Sequence, residues 1–421
     1  MILLSLAWKS LKNRKLTTSL TLFSIALSVG LLIGVEHVRR GVREHFSHTI
    51  SQTDLIVGAR GGTLQLLLYA VFGMGTATNN ISYATYDKLR QHPAVKWTIP
   101  YSLGDSHRGF RVIGTTEDFY KEYRYRQDRQ LVFAAGKPAS EVFDVVLGHT
   151  VAQQLGYTLG DAIVVAHGVT SGRGIIQHDD KPFRVVGILR QTATPVDRAL
   201  YITLEGMEAM HIDWQAGAPP RPGEAISAAQ IRKETIQVQQ ITAFLLRTKS
   251  RMETLRLQRE INTFADEPLM TIIPGVALSE LWRTVGYAED ALKVVTIFVM
   301  VVGLLGMLMA LYTSLHERRR EMAILRAVGV GPWKILSLLI LESGLLSMLG
   351  SLGGVVLVYS LLLIFQPIIE KAFGLYLPLM TLSGVEYVYL ALTILGGCAI
   401  GLIPALKAYR NTLADGLSMR L

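Results

Sequence analysis

The sequence predicts an α-helical membrane protein with four transmembrane helices and a large α/β domain inserted between the first and the second. Three observations support that prediction. Half of the 421 residues are hydrophobic and only 18% are charged, below the ~25% charged fraction of an ordinary soluble domain, and mean hydropathy is +0.33. The apolar excess sits in four runs, 16–36, 292–315, 335–365 and 387–403, each long enough to cross a ~30 Å hydrocarbon core. Residues 37–290 instead alternate short strands, helices and turns, as a chain that folds in water does.

The net charge of +9 supplies the orientation. Residues 1–15, 316–334 and 404–421 hold twelve of the 42 basic and three of the 33 acidic residues, so they carry the whole excess and the other 30 of each sign cancel. Lys and Arg beside spans mark the cytoplasmic side. Both termini and the 316–334 loop are therefore expected inside, with 37–290 and the short 366–386 loop outside. A basic balance confined to span flanks also argues against nucleic acid as a partner. Arg39, Arg40 and Arg43 fall on the side the rule disfavours, an exception open to long translocated domains. The single cysteine, Cys398, lies in an apolar run and leaves no intrachain disulfide or thiolate metal site.

Along the chain, Leu3, Leu4, Ala7 and Leu11 recur at helical spacing beside Lys9, Lys12 and Arg14, which reads as an amphipathic helix on the inner leaflet with Trp8 at the interface. The first span is too long for a signal-peptide core, and no A-x-A-like site precedes Glu36, so it is expected to remain as an anchor. Small residues recur four apart at Ala26, Gly30 and Gly34, at Gly350 and Gly354, and at Gly397 and Gly401. Such spacing serves close packing within one subunit or between two. In the external region, 53–57, 108–114 and 242–247 read as strands, 82–91 as a helix capped by Ser82, and 251–264 as an amphipathic helix carrying Leu255, Leu257, Ile261 and Phe264. The strand-rich stretch of about 120–230 looks inserted, and 214–223, with three prolines, reads as a mobile loop.

The loop between spans two and three reads Glu317-Arg318-Arg319-Arg320-Glu321-Met322-Ala323-Ile324-Leu325-Arg326-Ala327-Val328-Gly329, which resembles the cytoplasmic signature of FtsX/MacB-type ABC transporter permeases. Val112-Ile113-Gly114-Thr115, Val145-Val146-Leu147-Gly148 and Phe183-Arg184-Val185-Val186-Gly187-Ile188-Leu189 are similar to that family's periplasmic core, and Pro404-Ala405, Tyr409-Arg410 and Gly416-Leu417 to its C-terminal tail. The resemblance implies a permease in a bacterial inner membrane, pairing with a second permease subunit as a homodimer or related heterodimer. It further implies a dimer of ABC ATPase subunits that converts hydrolysis into motion of the periplasmic domain. A periplasmic adaptor, binding protein or hydrolase would be the external partner. No G-x-x-x-x-G-K-[ST] occurs, so ATP and Mg²⁺ are expected in the partner ATPase and no cofactor in this chain.

Several residues then become candidates. Glu317, Arg318, Arg319, Arg320, Glu321, Met322, Ile324, Leu325, Arg326 and Gly329 form a short basic amphipathic helix suited to an ATPase groove, or else a plain positive-inside anchor. Leu64, Leu66, Leu67, Leu68, Val71 and Phe72 belong to an apolar stretch too short to span, suited either to substrate or membrane lipid or to a buried core helix. Glu342 is an acidic group inside span three, serving an ion or a helix contact. Neither H-E-x-x-H nor G-x-S-x-G occurs, and no catalytic residue is expected. His167, His178, Asp179 and Asp180 are metal-capable, with His178 and Asp179 the weak candidates, but a hairpin tip with solvated charges is the preferred reading. The function expected is export or extraction of a hydrophobic or lipid-linked substrate, with mechanotransmission to a periplasmic partner as the alternative.

Overall fold

A computed structural model describes residues 7–410 apart from 10, 13, 48, 127, 169–177, 215–225, 227, 318–323, 325–327, 374–378 and 380. The helices in chain order are α1 Lys15–Ser47, α2 Thr63–Val71, α3 Tyr83–Arg90, α4 Asp118–Glu122, α5 His149–Leu155, α6 Leu204–Met210, α7 Arg251–Asn262, α8 Pro274–Glu317, α9 Pro332–Phe373 and α10 Gly384–Arg410. The strands are β1 Leu55–Ala59, β2 Ile81–Ser82, β3 Val95–His107, β4 Phe110–Thr115, β5 Arg124–Tyr125, β6 Arg129–Gln130, β7 Phe133–Gly136, β8 Asp144–Leu147, β9 Ala162–Ile163, β10 Ala166–His167, β11 Phe183–Leu189, β12 Ala199–Thr203, β13 Gln240–Ile241, β14 Ala243–Thr248 and β15 Leu269–Ile272. Two units emerge, one of residues 1–42, 286–368 and 377–421, the other of 43–285 and 369–376.

Segments of α1, α8, α9 and α10, which supply most of the first unit, are long and apolar enough to cross a membrane: Lys15–Gly41, Pro274–Thr313, Trp333–Ile369 and Gly384–Leu406. The helices run past the apolar runs that announce them, because helical geometry continues wherever good helix formers follow. They approach one another through missing side chains. A Cβ on Gly354 would stand 2.8 Å from the Ala26 carbonyl oxygen and 2.9 Å from the Gly30 nitrogen, and one on Gly350 would meet Ile25 at 2.6 Å. Gly397 faces Ser347 and Gly401 faces Ser343. All of these small-residue stripes are thus used for packing within the chain.

Polar groups of this unit gather near one end of the spans. Arg39 on α1 pairs with Glu36 at 2.6 Å and with Glu289 of α8 at 3.0 Å. Arg40 lies 3.6 Å from Glu386 of α10, which is fully buried beside His37, itself edge-on to Tyr359 of α9. Arg39 and Arg40, which break the charge rule, are therefore neutralised locally by carboxylates of neighbouring helices.

The second unit is built on an eleven-stranded mixed sheet, in order β15-β1-β14-β3-β4-β12-β8-β11-β7, with β10 added to β3 and β9 to β11. The thirteen-residue β3 joins its halves. Tyr101 and the residues before it pair with β14, and Ser102 onward pairs with β4 and β10, with a register shift between Leu103 and Ser106. Strands from the inserted stretch extend this same sheet through the parallel β4–β12 pair. The interior strands β8 and β12 are buried at every position, as strands covered on both faces must be.

Ser82 caps α3 by accepting from the Thr85 amide, and Ser250 caps α7 by accepting from Glu253. On α7 the buried face is Thr254, Leu257 and Ile261. Leu255 is 64% exposed, since it lies ~200° around the helix from Leu257. A cluster of aromatic rings fills the core between α2, α4 and the sheet. There Phe119 stacks on Tyr201 at 4.5 Å and meets Tyr101, Tyr120 and Tyr123 at 5.2–6.0 Å.

Candidate functional site

Of the basic loop, the described residues are its edges. Glu317 ends α8, Ile324 is helical and 53% exposed, and Gly329 adopts φ +93°, a left-handed conformation that stops a helix before Pro332 opens α9. Arg318, Arg319, Arg320, Glu321, Met322, Leu325 and Arg326 lie outside the described residues, as does most of the 214–223 loop. Glu342 is 4% exposed, beside the fully buried Ser343. It is thus turned into the helix bundle and shielded from lipid, as an intramembrane carboxylate requires.

The apolar stretch of 64–74 forms α2 and the turn after it. Leu66 and Leu67, at 2% and 1% exposure, belong to the core, which corrects the expectation that these two meet substrate or lipid. The physical reason is tertiary packing: α2 lies on β1, where Leu66 is so close to Gly58 that a Cβ there would meet it at 2.6 Å. Leu64, Leu68, Val71 and Phe72 are half-buried. Val71 and Phe72, with Tyr69 and Met74, line a cavity of about 410 Å³ that reaches Tyr101 and Tyr201.

Two arginines share that cavity. Arg111 donates to the Gly75 carbonyl. Arg198 stacks its guanidinium over Phe110 at 5.6 Å, and its buried Nη1 makes no hydrogen bond among the described residues. Burial pulls both guanidinium pKa values down. An apolar chamber with an unsatisfied guanidinium donor in its wall is suited to an amphiphile with an acidic group.

The metal-capable residues separate. Asp179 is exposed, whereas His178 is 2% exposed, which corrects the solvated-tip reading for that residue. Its amide donates to the Val165 carbonyl at 2.9 Å, and the fully buried Lys181 holds the same turn to Asp213 at 2.8 Å. His178 packs with His167, His211 and Asp105, whose donor atoms all lie within 4.8 Å of one another. His167 and Asp105 are a cross-strand pair of β10 and β3, and His211 follows α6. Burial pushes the Asp105 carboxyl up while His211 and His167 pull it back, and burial, aided by His211, takes the His178 imidazole down to about 4. Sequence reading missed Asp105 and His211, since only the strand order brings them together.

The order of these elements matches known proteins. Residues 18–255, more than half of the chain, match the MacB-like periplasmic core domain, and 293–413 match the FtsX-like permease C-terminal domain. An uncharacterized ABC transporter permease of Methanocaldococcus jannaschii is 27% identical over 190 residues, which is 44% of this chain and 41% of that protein. The match therefore spans less than half of that relative's length. Among solved structures, the periplasmic region of MacB from Actinobacillus actinomycetemcomitans shares 11% identity at a TM-score of 0.34, covering 55% of this chain and 94% of that one. The extracellular domain of YknZ, a noncanonic ABC-type transporter from Gram-positive bacteria, shares 12% at a TM-score of 0.30, covering 52% and 98%. With two family domains in sequence around apolar helices, this multi-pass membrane protein belongs to the FtsX/MacB-type permeases of ABC transporters.

Proposed function

We propose that this permease, in a bacterial inner membrane with both termini cytoplasmic, extracts or exports a hydrophobic or lipid-linked substrate carrying an acidic group. Two copies, or this chain and a related one, pair with two separate ATPase subunits that bind ATP and Mg²⁺ and dock on residues 317–329. The observation that supports the substrate class is the 410 Å³ apolar cavity with Arg198 in its wall. Its volume suits a lipid-sized group, and an unpaired guanidinium donor is costly until an anion meets it.

The test is a photo-crosslinker at Phe72 in the full chain, reconstituted with its ATPase in native lipid. Adducts to an acidic lipid-extractable species, reduced severalfold by Arg198→Gln, are the expected result. No such adduct, with ATPase coupling unchanged by Arg198→Gln, would leave the second reading, mechanotransmission to a periplasmic adaptor, binding protein or hydrolase. That reading is favoured by α8, a 44-residue helix without an internal proline. Such a helix, ~66 Å long, transmits a displacement along its length with little loss.

A further inference from the structure

We propose that Asp105, His167, His178 and His211 bind one divalent metal ion of the Zn²⁺ class, a site independent of the cargo the permease handles. The donor set is the first argument. Three imidazoles and one carboxylate suit Zn²⁺ and its neighbours, whereas Ca²⁺ and Mg²⁺ take oxygen donors and Cu⁺ prefers sulfur, which none of the four supplies.

Spacing is the second. Bonds of ~2.0–2.2 Å place the donors of a tetrahedral zinc ion ~3.3 Å apart. His211 Nε2 lies 3.1 Å from His167 Nδ1 and 3.8 Å from Asp105 Oδ2, and one ligand atom from each of the four residues lies within 4.8 Å of the others. Small side-chain rotations close that difference.

Third, the donors are left wanting. Asp105 Oδ2 and His178 Nε2 are buried and make no hydrogen bond among the described residues. A metal ion would satisfy both at once, where an apolar pocket would leave each at a cost.

Fourth, outer contacts already orient the ligands. His211 Nδ1 sits 3.2 Å from the Met207 carbonyl oxygen, to which it donates, so the lone pair is on Nε2, facing the cluster. The Gly168 amide donates to Asp105 Oδ1 at 3.4 Å. Ligands held from behind by carbonyls and amides are the usual support of a protein metal centre. Trp214 covers the group, its ring centre 5.0 Å from those of His167 and His178 and 5.3 Å from that of His211.

Four protein donors fill a tetrahedron and leave no position for a reacting water, so the ion would be structural or sensory and not hydrolytic. It would join β3 and β10 to the His178 turn and to the end of α6.

The experiment uses the full chain in detergent, stripped with a chelator and titrated with Co²⁺ and then Zn²⁺. One Co²⁺ per chain with the intense visible bands of tetrahedral coordination, bleached by one equivalent of Zn²⁺, is expected. Zn²⁺ should raise the melting temperature of the wild type. His211→Ala and Asp105→Asn should each weaken Zn²⁺ binding roughly 100-fold or more, and His149→Ala should leave it unchanged. His211 is only half-buried, so His211→Ala, with its metal-free melting temperature as the check on folding, decides the matter if Asp105→Asn does not fold. Absent bands, the pale spectrum of octahedral Co²⁺, or a folded His211→Ala that binds Zn²⁺ as the wild type does would overturn the site.

Discussion

The membrane unit and the external unit solve the same packing problem in opposite ways. In water, the external unit fills its core with large side chains, and Phe119, Tyr101, Tyr123 and Tyr201 interlock because burying their area is itself the driving force. In lipid, exposed leucines gain nothing by meeting other leucines, so helices approach where side chains are absent, at Gly350, Gly354, Gly397 and Gly401. Buried charge differs in the same sense. The membrane unit pairs its charges near the span ends, Arg39 with Glu36 and Glu289, whereas the external unit buries Lys181 against Asp213 and Asp105 among histidines. One core is therefore broken by adding charge, the other by adding volume.

The largest effect expected is Leu67→Asp in the external unit. Leu67 is 1% exposed, so the variant strands a carboxylate in an apolar site and should cost several kcal/mol, about 3–5. Early melting of the external unit, followed by tryptophan fluorescence, checks it. Retained stability would return Leu67 to the substrate or lipid surface.

Next comes Gly354→Leu, which tests the other half of the contrast. The obstructing atoms are the Ala26 oxygen and the Gly30 nitrogen, backbone that no rotamer change relieves. An overpacking cost of about 1–3 kcal/mol or more is expected, read as aggregation at lower temperature in mild detergent. Gly275→Leu, where a Cβ meets nothing within 4 Å, should be close to neutral. Equal behaviour of the two variants would remove the packing role of the small-residue stripe.

Legibility followed the same division. The four spans and the capped helix at 82–91 were readable because hydropathy and the Ser82 cap act locally, whereas the Ser250 cap went unread. The glycine stripes were readable as stripes, but their partners were not, since four-residue spacing looks the same for a neighbour in the chain or in a second subunit. The apolar run at 64–74 gave no sign of which residues turn inward, because a short helix with few polar residues has little amphipathic contrast. The Asp105, His167, His178 and His211 group was half legible: two histidines lie near one another in sequence, while the other two ligands arrive through the β3–β10 pairing and the end of α6. Arg39 looked misplaced until Glu289 appeared opposite it.

Arg39→Ala is a smaller perturbation, because the pair is partly solvated: its side chain is 25% exposed and that of Glu289 15%. Removing the guanidinium leaves Glu36 and Glu289 without their cation and should cost about 1–2 kcal/mol. Thermal melting of the purified chain measures it, and Arg39→Lys should recover part of the loss. An unchanged melting temperature would mean that water serves these carboxylates equally well.

The smallest effect on stability, and the sharpest on function, is expected where neither packing rule applies. Replacing Arg319, Arg320 and Glu321 together by alanine changes a charged segment between α8 and α9, so melting should shift by no more than about 0.5 kcal/mol per site. Docking of a partner is another matter, because charge-assisted contacts at a basic segment set both orientation and affinity. Purified alone, the wild-type chain should hydrolyse no ATP. Mild extraction from native membranes should bring down a soluble ATPase, and the triple variant should lose most of it while keeping the wild-type melting curve. A variant that still recruits the ATPase and supports coupled hydrolysis would reduce the arginines to an orientation signal at the cytoplasmic face. A variant that melts early would instead show that this loop is part of the helix packing, and that the separation between a rigid bundle and a docking loop is drawn in the wrong place.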